Sequence, residues 1–276
     1  MNDASKPTLI LGGTGKTGRR LAERLTAQGL PVRIGSRSAA LAFDWQDKTT
    51  WAPALAGVGA VYISYYPDLA VPGAAEAVGA FAELAVERGV TRLVLLSGRG
   101  ETEAQRAEEM LKASGADWTI LRCAWFSQNF SEGFLVESLL EGEVALPIGN
   151  VGEPFVDADD IAEAAFVVLT QPGHVGQLYE LTGPRLMSFA DAVAEIGRAA
   201  GRSIRYIRIS HAEFTAAVAT QQLPAEFVWL INELFTEVLD GRNESLTDGV
   251  QRVLGRAPKD FSAYATETAA SGIWSN

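Results

Sequence analysis

The chain has 276 residues, of which 47% are hydrophobic and 21% charged, and its 23 basic and 34 acidic side chains give a net charge of −11. This length accommodates one large domain or two smaller lobes with a well-buried core. The acidic balance argues against nucleic acid and against an anionic membrane surface as partners, because both bind clustered Lys and Arg.

Cysteine and histidine are scarce, with Cys123, His174 and His211 as their complete set. A single cysteine forms no internal disulfide, and the spacing of the three matches no metal-site pattern. The segment MNDASKPT lacks the apolar core of a signal peptide, and no apolar run is long enough to span a bilayer. We therefore expect a reduced, cytoplasmic protein without a metal centre, as a monomer or homodimer.

Short apolar runs alternate with longer helical patterns in the first part of the chain. The runs are PTLIL, PVRIG, LAFDW, AVYIS, RLVLLS and WTILR, and helices are predicted over 16–28, near TTWAPALAG, over 73–88 and over ETEAQRAEEMLKASG. Continuously apolar runs are typical of strands buried on both faces, and the alternation predicts parallel strands with right-handed crossovers. We predict an α/β fold, a Rossmann-type doubly wound parallel sheet, with residues 1–150 as the NAD(P)-binding domain.

The remainder of the chain is mostly helical in pattern. SQNFSEGFLVESLLEG and SFADAVAEIGRAAG are predicted helices, and DADDIAEAAFVVLTQ is a third with acids in its first turn, where the helix dipole favours them. GQLYELTG and SIRYIRIS are predicted strands, and helices dominate after His211. We predict a smaller, mostly helical C-terminal substrate lobe over 151–276, some of whose strands and helices also complete the sheet.

Three evenly spaced glycines, Gly12, Gly15 and Gly18, separate the first predicted strand from the first helix. In a βαβ unit they permit a tight turn, close approach of backbone amides to a pyrophosphate, and close packing of helix on strand. The helix N-terminus adds N–H donors and a partial positive charge. The pattern therefore predicts a bound dinucleotide, and a glycine-rich turn without a ligand is the alternative.

The residues after the second predicted strand, Ser36, Arg37 and Ser38, include no carboxylate. NAD sites usually place an acid here for the ribose hydroxyls, whereas a guanidinium and two hydroxyls suit a 2′-phosphate. We therefore predict that NADP(H) is preferred and NAD(H) is a second option, with a solvated Arg37 as the alternative. Asp44 and Trp45, at the third predicted strand, are candidates for contacts with adenine.

A series of motifs runs in one order from about Thr8 to beyond Gly255: LGGTGKTGRRLA, SRS, FDWQDKTTW, AVYIS, LVLLSG, LKASGADWTILR, WFSQNF, EPFVDADDIAEAA and YELTGP. In these motifs the chain resembles the NmrA-like family of atypical short-chain dehydrogenases/reductases. It is most similar to the festuclavine/agroclavine dehydrogenase type and its bacterial relatives. The family includes NAD(P)H-dependent quinone, iminium and enone reductases, and also redox-sensing regulators that bind NAD(P) without catalysis.

The resemblance implies roles for individual residues. A phosphate loop would consist of Gly12, Thr14, Gly15, Lys16, Thr17 and Gly18. The adenosine end would meet Ser36, Arg37, Asp44 and Trp45, the ribose Ser64 and Tyr65, and the nicotinamide Ser97 and Gly98. The substrate would be bound by Tyr66, Trp125, Phe126 and Asn129. Cys123 stands where the family usually has proline.

One departure from typical short-chain dehydrogenases concerns catalysis. In those enzymes the lysine of a Tyr-x-x-x-Lys pair lowers the pKa of the tyrosine so that it donates a proton. No lysine of this chain follows a tyrosine at that spacing, and Ser97 and Tyr65 are the candidates that remain for the catalytic role. An iminium needs no protonation and a quinone needs little, so both stay open as acceptors.

These observations predict an NADPH-dependent reductase of a small, planar aromatic or iminium substrate, as found in secondary metabolism. Two alternatives stay open. One is a non-catalytic NAD(P) redox sensor or accessory protein, and the other is a tailoring enzyme in which the nucleotide assists non-redox chemistry.

Overall fold

A computed structural model describes residues 6–39, 41–221 and 223–275. Within these ranges the β-strands are β1 (Thr8–Leu11), β2 (Val32–Gly35), β3 (Ala60–Ile63), β4 (Arg92–Gly98), β5 (Asp117–Cys123), β6 (Glu143–Leu146), β7 (Gln177–Leu181) and β8 (Arg205–Arg208). No helix in the described ranges is both long enough and apolar enough to cross a membrane.

The helices of the same ranges are α1 (Lys16–Ala27), α2 (Trp51–Leu55), α3 (Ala74–Glu87), α4 (Thr102–Ala113), α5 (Leu135–Glu141), α6 (Ala158–Thr170), α7 (Phe189–Ala199), α8 (His211–Thr220), α9 (Ala225–Glu233), α10 (Gly249–Leu254) and α11 (Phe261–Ala270). Two 3₁₀ turns, Lys48–Thr50 and Ser127–Phe130, and one π-helical turn, Leu234–Val238, lie between them.

Six strands form one parallel sheet in the order β2-β1-β3-β4-β5-β7. The chain leaves β1 toward β2 on one side and returns to β3 on the other, so the topology reverses at β1. Strands β1 and β3 are buried along their whole length, because α1 packs with α6 and α3 packs with α4 over the sheet. The predicted doubly wound Rossmann-type fold is confirmed.

The predicted strand LAFDW is wrong. Apart from an isolated bridge between Asp44 and Asp47, this segment pairs with no strand. The backbone of Asp44 pairs instead with the residues that follow, since its N–H donates to Thr50 Oγ1 (3.0 Å) and its carbonyl accepts from Trp51 Nε1 (2.8 Å). Similarly, the single helix predicted over SQNFSEGFLVESLLEG is divided into the 3₁₀ turn and α5.

The chain divides into two compact units, and neither is one continuous stretch. The first contains the described residues up to Cys123 together with Ala158–Leu181 and Gly249–Arg256. The second contains Ala124–Asp157, Thr182–Asp248 and the described residues from Ala257. A single boundary at residue 150 does not describe this division, because β7, α6 and α10 belong to the sheet unit although they come late in the chain.

The second unit is mostly helical around an aromatic core. Its two strands, β6 and β8, form a separate parallel pair. The core contains Phe130, Phe155, Phe189, Phe235 and Phe261, whose rings meet edge to face or at a tilt. Trp274 is fully buried there, and its Nε1 donates to the carbonyl of Phe130 (3.0 Å).

Candidate nucleotide-binding and active site

The first unit brings together the residues that follow β1, β2, β3 and β4, because parallel strands end at the same side of a sheet. We call this side, where β1–β5 end, the carboxyl edge. In open α/β sheets ligands bind outside this edge at the point where the topology reverses. Here that point lies between β1 and β3, and a Cβ added to Gly12 would lie 3.1 Å from Ser64 Cβ and Oγ.

The glycine loop joins β1 to α1 as the sequence predicts. Gly12 has a φ of +68°, and the Gly15 amide closes the turn on its carbonyl (2.9 Å). A Cβ on Gly18 would overlap the Gly12 carbonyl, so this position requires glycine. Thr14 and Gly15 are exposed, and Gly15 caps α1 without any side chain on its first amides. The loop is therefore open where a phosphate would bind.

Thr17 differs from the other members of the predicted phosphate loop. Its side chain is buried, and its Oγ1 accepts a hydrogen bond from Tyr62 Oη (3.0 Å). Burial raises the pKa of Tyr62, which stays neutral and keeps this donor. Through this hydrogen bond Thr17 links α1 to β3, whether or not it also binds a phosphate.

The residues after β2 present a cation and hydroxyls. Ser36 Oγ lies 3.3 Å from Ser38 Oγ, and Arg37 is exposed. The Arg37 guanidinium carbon lies 5.4 Å from the centre of the Tyr66 ring, so the loops after β2 and β3 meet here. Ser36–Ser38 carry no carboxylate that would repel a 2′-phosphate.

An aromatic cluster lies beside this loop. Trp45 packs against Tyr65, with ring centres 4.8 Å apart and planes tilted by 38°. The other rings of the cluster are Phe43, Trp51 and Phe81. Trp45 and Tyr65 are half-buried, so they keep some surface accessible to a ligand. The Asp44 carboxylate accepts a hydrogen bond from the backbone amide of Gln46 (3.0 Å), so one of its oxygens is used within the local turn.

Ser97, a predicted catalytic residue, lies in a buried ion-pair network at the end of β4. Its Oγ donates to Glu108 Oε1 (2.6 Å) and is 4% exposed. Arg122 holds Glu108 with two guanidinium nitrogens and reaches Glu180 Oε1 at 2.8 Å. These bonds raise the pKa of Arg122, chiefly through Glu108. Arg99 lies 3.4 Å from Glu180. We call these five residues the arginine network.

Two carboxyl groups at the same edge, Asp68 and Glu101, are not predicted from the sequence. They are hydrogen-bonded to each other, and we call them the acid pair. Burial raises the pKa of both, and the Asp68 charge raises that of Glu101 further. Their positions in the sequence could have indicated this contact. Asp68 follows the end of β3 and Glu101 follows the end of β4, and the ends of neighbouring parallel strands lie at one edge of the sheet.

The remaining predicted residues, Trp125, Phe126 and Asn129, belong to the second unit. The Trp125 amide donates to Glu153 Oε1 (3.0 Å), and its ring packs on Phe235 with centres 5.3 Å apart. The Asn129 amide donates to the Phe126 carbonyl (3.0 Å) within the 3₁₀ turn. The buried Trp125 Nε1 meets no hydrogen-bond acceptor among the described residues.

These features fit a nicotinamide dinucleotide. The loop exposes Thr14 and Gly15 at the N-terminus of α1, its third glycine lets α1 pack closely against the Gly12 carbonyl, and Arg37 offers a cation beyond β2. In contrast, the described ranges contain no group of three or more His, Cys, Asp or Glu side chains arranged to hold a metal ion.

Comparison with known proteins places this geometry in a family. Residues 12–172 match the family described as NAD(P)H-binding. The Uncharacterized oxidoreductase YesF of Bacillus subtilis is 34% identical over 275 residues, covering 96% of this chain and 96% of its own. Festuclavine synthase I of Penicillium roqueforti is 31% identical, covering 93% and 96%. The Prestalk A differentiation protein A of Dictyostelium discoideum is 30% identical, covering 94% and 91%.

Solved structures share the fold at lower identity. The NADPH-dependent quinone oxidoreductase QOR2 of Escherichia coli, complexed with NADPH, superposes with a TM-score of 0.75 at 23% identity, covering 94% of this chain and 99% of that one. The Citrobacter sp. triphenylmethane reductase complexed with NADP(H) gives 0.75 at 18%, covering 95% and 99%. Nmra, a negative transcriptional regulator, gives 0.72 at 16%, covering 97% and 98%.

Proposed function

Since this chain belongs to the NmrA-like, NAD(P)H-binding family of atypical short-chain dehydrogenases/reductases, we propose that it is an NADPH-dependent reductase of a conjugated, planar acceptor. The acceptor is a quinone-type aromatic polyketide or a cyclic iminium. The observation that carries the proposal is the carboxyl edge itself, where an open glycine loop and the Ser36–Ser38 loop with its exposed Arg37 lie at one reversal point.

In this proposal, different residues of the first unit bind different parts of NADPH. Loop amides from Gly12 to Gly18 and the α1 N-terminus bind the pyrophosphate, and the Arg37 guanidinium binds the 2′-phosphate. Asp44 and Trp45 serve the adenine end, and Ser64 and Tyr65 the ribose. Ser97 and Gly98 line the nicotinamide end. NADPH, when bound, supplies a hydride.

Orientation is the main contribution of the protein in this proposal. No Tyr-x-x-x-Lys pair is available, and holding donor and acceptor in reactive geometry is worth several orders of magnitude in rate. Tyr66, Trp125, Phe126 and Asn129 are the side chains we propose to contact the acceptor, as the family resemblance implies.

The first test is a calorimetric titration of the protein with NADPH, NADP⁺, NADH and NAD⁺. We expect Arg37→Ala to weaken NADPH about ten- to a hundred-fold, the usual effect of losing a charged hydrogen bond, and to leave NADH nearly unchanged. Arg88→Ala is the matched control, because Arg88 is also exposed but follows α3 at the opposite edge of the sheet. Equal losses for NADPH and NADH would refute the 2′-phosphate role.

Turnover is tested with a panel of quinones and cyclic iminiums under saturating NADPH. Consumption of NADPH with formation of the reduced acceptor supports the reductase. If no acceptor in either class oxidises NADPH, the reductase proposal fails.

A non-catalytic nucleotide sensor is the second candidate. It is favoured by the missing Tyr-x-x-x-Lys pair and by a relative named as a differentiation protein. The same titration separates the two functions, because a sensor is expected to prefer one oxidation state and to show no turnover. A non-redox tailoring enzyme would instead form product without net consumption of NADPH.

A further inference from the structure

The acid pair has no task in the proposed binding of the nucleotide. Asp68 lies in the loop after β3, and Glu101 lies after the end of β4, directly before α4. The Glu101 carboxyl occupies the space above Gly98, where an added Cβ would overlap it. Because residue 98 has no side chain, the Glu101 carboxyl group can lie above it, next to Ser97 at the end of β4.

The two members of the pair have different partners, and these decide which one carries a proton. One Asp68 oxygen accepts from the Ala70 amide (2.9 Å), and the Lys16 cation of the glycine loop stabilises the Asp68 charge. Glu101 faces anions, namely Asp68 and Glu108, and Cys123 of β5 lies near it. Two ionised carboxylates have no proton to share, so their hydrogen bond requires one un-ionised partner. These partners favour the ionised form of Asp68 and the un-ionised form of Glu101.

Burial reinforces this assignment. Loss of solvation and the neighbouring Asp68 and Glu108 charges raise the pKa of Glu101 well above its ordinary value. For Asp68, burial raises the pKa, but the Ala70 amide and Lys16 act in the opposite direction. A carboxyl group that stays neutral near pH 7 is suited to donate a proton.

We propose that Glu101 is the acid that protonates the acceptor during reduction, with Asp68 as its positioning residue. This role rests on the proposed reductase function and narrows the acceptor to a class that takes up both hydride and a proton. Quinone-type compounds belong to that class. A cyclic iminium, which becomes a neutral amine on accepting hydride, does not.

The step is balanced in atoms and charge. The acceptor gains two electrons and one hydrogen as hydride from NADPH, which is oxidised. The O–H bond of Glu101 breaks, its proton forms an O–H bond on the reduced acceptor, and the electron pair remains on the Glu101 carboxylate. Solvent water then returns a proton to Glu101. The lysine of the loop, Lys16, offsets part of the extra negative charge on the pair in the interval.

The test compares Glu101→Gln with Glu109→Gln. Glu109 lies on α4 with its side chain 71% exposed, so it controls for the same chemical change at an exposed position nearby in the chain. With a quinone, we expect E101Q to lower kcat about 10²- to 10⁴-fold, the usual contribution of a positioned acid, while the NADPH affinity is kept. With an iminium that is also turned over, E101Q should lower kcat by a much smaller factor than with a quinone, because hydride transfer to an iminium needs no proton.

A readout without turnover is the infrared spectrum of the protein. The difference spectrum between wild type and E101Q should show the carbonyl stretch of one un-ionised carboxylic acid at neutral pH, and the difference between wild type and E109Q should not. Asp68→Asn keeps an acceptor oxygen but removes the charge, so the band should titrate at lower pH. The fall of kcat with rising pH should move in the same direction.

The outcomes separate the two proposals. Wild-type kcat of E101Q with a quinone, or absence of the infrared band from wild type, overturns the role of Glu101 and leaves the reductase intact. If wild type reduces no acceptor at all, both proposals fail together. Should E101Q not fold, Glu101→Asp and D68N answer the question through the infrared band and the pH profile.

Discussion

Two regions of the carboxyl edge each contain a glutamate from one stretch of chain, Glu108 fully buried and Glu101 half-buried, and the neighbours of these two side chains act on them in opposite ways. In the arginine network, Glu108 meets two nitrogens of Arg122 and the Ser97 hydroxyl, which stabilise an ionised carboxylate. In the acid pair, loss of solvation and the neighbouring Asp68 charge raise the pKa of Glu101. The comparison shows that neighbours, more than burial, decide whether a glutamate at this edge is an ion or an acid.

The largest expected effect on stability comes from removing Arg122, the cation that Glu108 has and Glu101 lacks as a hydrogen-bond partner. Arg122→Ala should lower the free energy of unfolding by about 3–5 kcal/mol, because it leaves the fully buried Glu108 charge without its cation. Urea unfolding measures this. Arg106→Ala, which removes an exposed arginine from its ion pairs with Glu76 and Glu103, is the control and should cost less than about 1 kcal/mol.

The double variant Arg122→Ala/Glu108→Gln tests whether the stability lost in R122A is electrostatic or comes from packing. Removing the charge together with its partner should restore a large part of the lost stability. If the double variant is as unstable as R122A alone, the loss comes from packing and the contrast between the two glutamates is not electrostatic.

The next effect is the pH dependence of stability. The pKa of Glu101 is raised on folding, so its contribution to stability is fully present below its ordinary value of 4.5 and is lost as pH rises through the folded value. In E101Q this contribution is absent, and the stability difference from wild type should change over that window by at most about 1.4 kcal/mol per pH unit. Urea midpoints measured from pH 4 upward in both proteins test the sign, and a difference that is flat with pH would contradict a neutral Glu101.

The smallest effect on stability is expected for Gly98→Ala. The added Cβ overlaps only the flexible end of Glu101, so the carboxyl moves aside at a cost below about 1 kcal/mol. The infrared band of the Glu101 carboxylic acid should nevertheless shift or disappear, because the added Cβ displaces this carboxyl group from its position beside Asp68. Thermal unfolding and the infrared spectrum together test this, and an unchanged band with full stability would show that Gly98 does not position Glu101.

Much of the first unit was predictable from local signals. The glycine loop, the buried β1 and β3 and the helices α1 and α3 follow from apolar periodicity and glycine spacing, which act within a few residues. LAFDW was predicted wrongly because its two aromatic residues, Phe43 and Trp45, pack in the aromatic cluster, which is assembled from distant parts of the chain. The acid pair was missed for a related reason, since Asp68 and Glu101 meet only after β3 and β4 pair in register.

The sequence by itself determined the doubly wound sheet, the glycine loop between β1 and α1 and the absence of a Tyr-x-x-x-Lys pair, because each depends on residues close together in the chain. Only the tertiary structure decided that Ser97 is bound to Glu108, that the late elements which join the sheet unit are β7, α6 and α10, and that Asp68 and Glu101 lie together. Those properties depend on desolvation and on partners brought from other strands, and neither is encoded in local spacing.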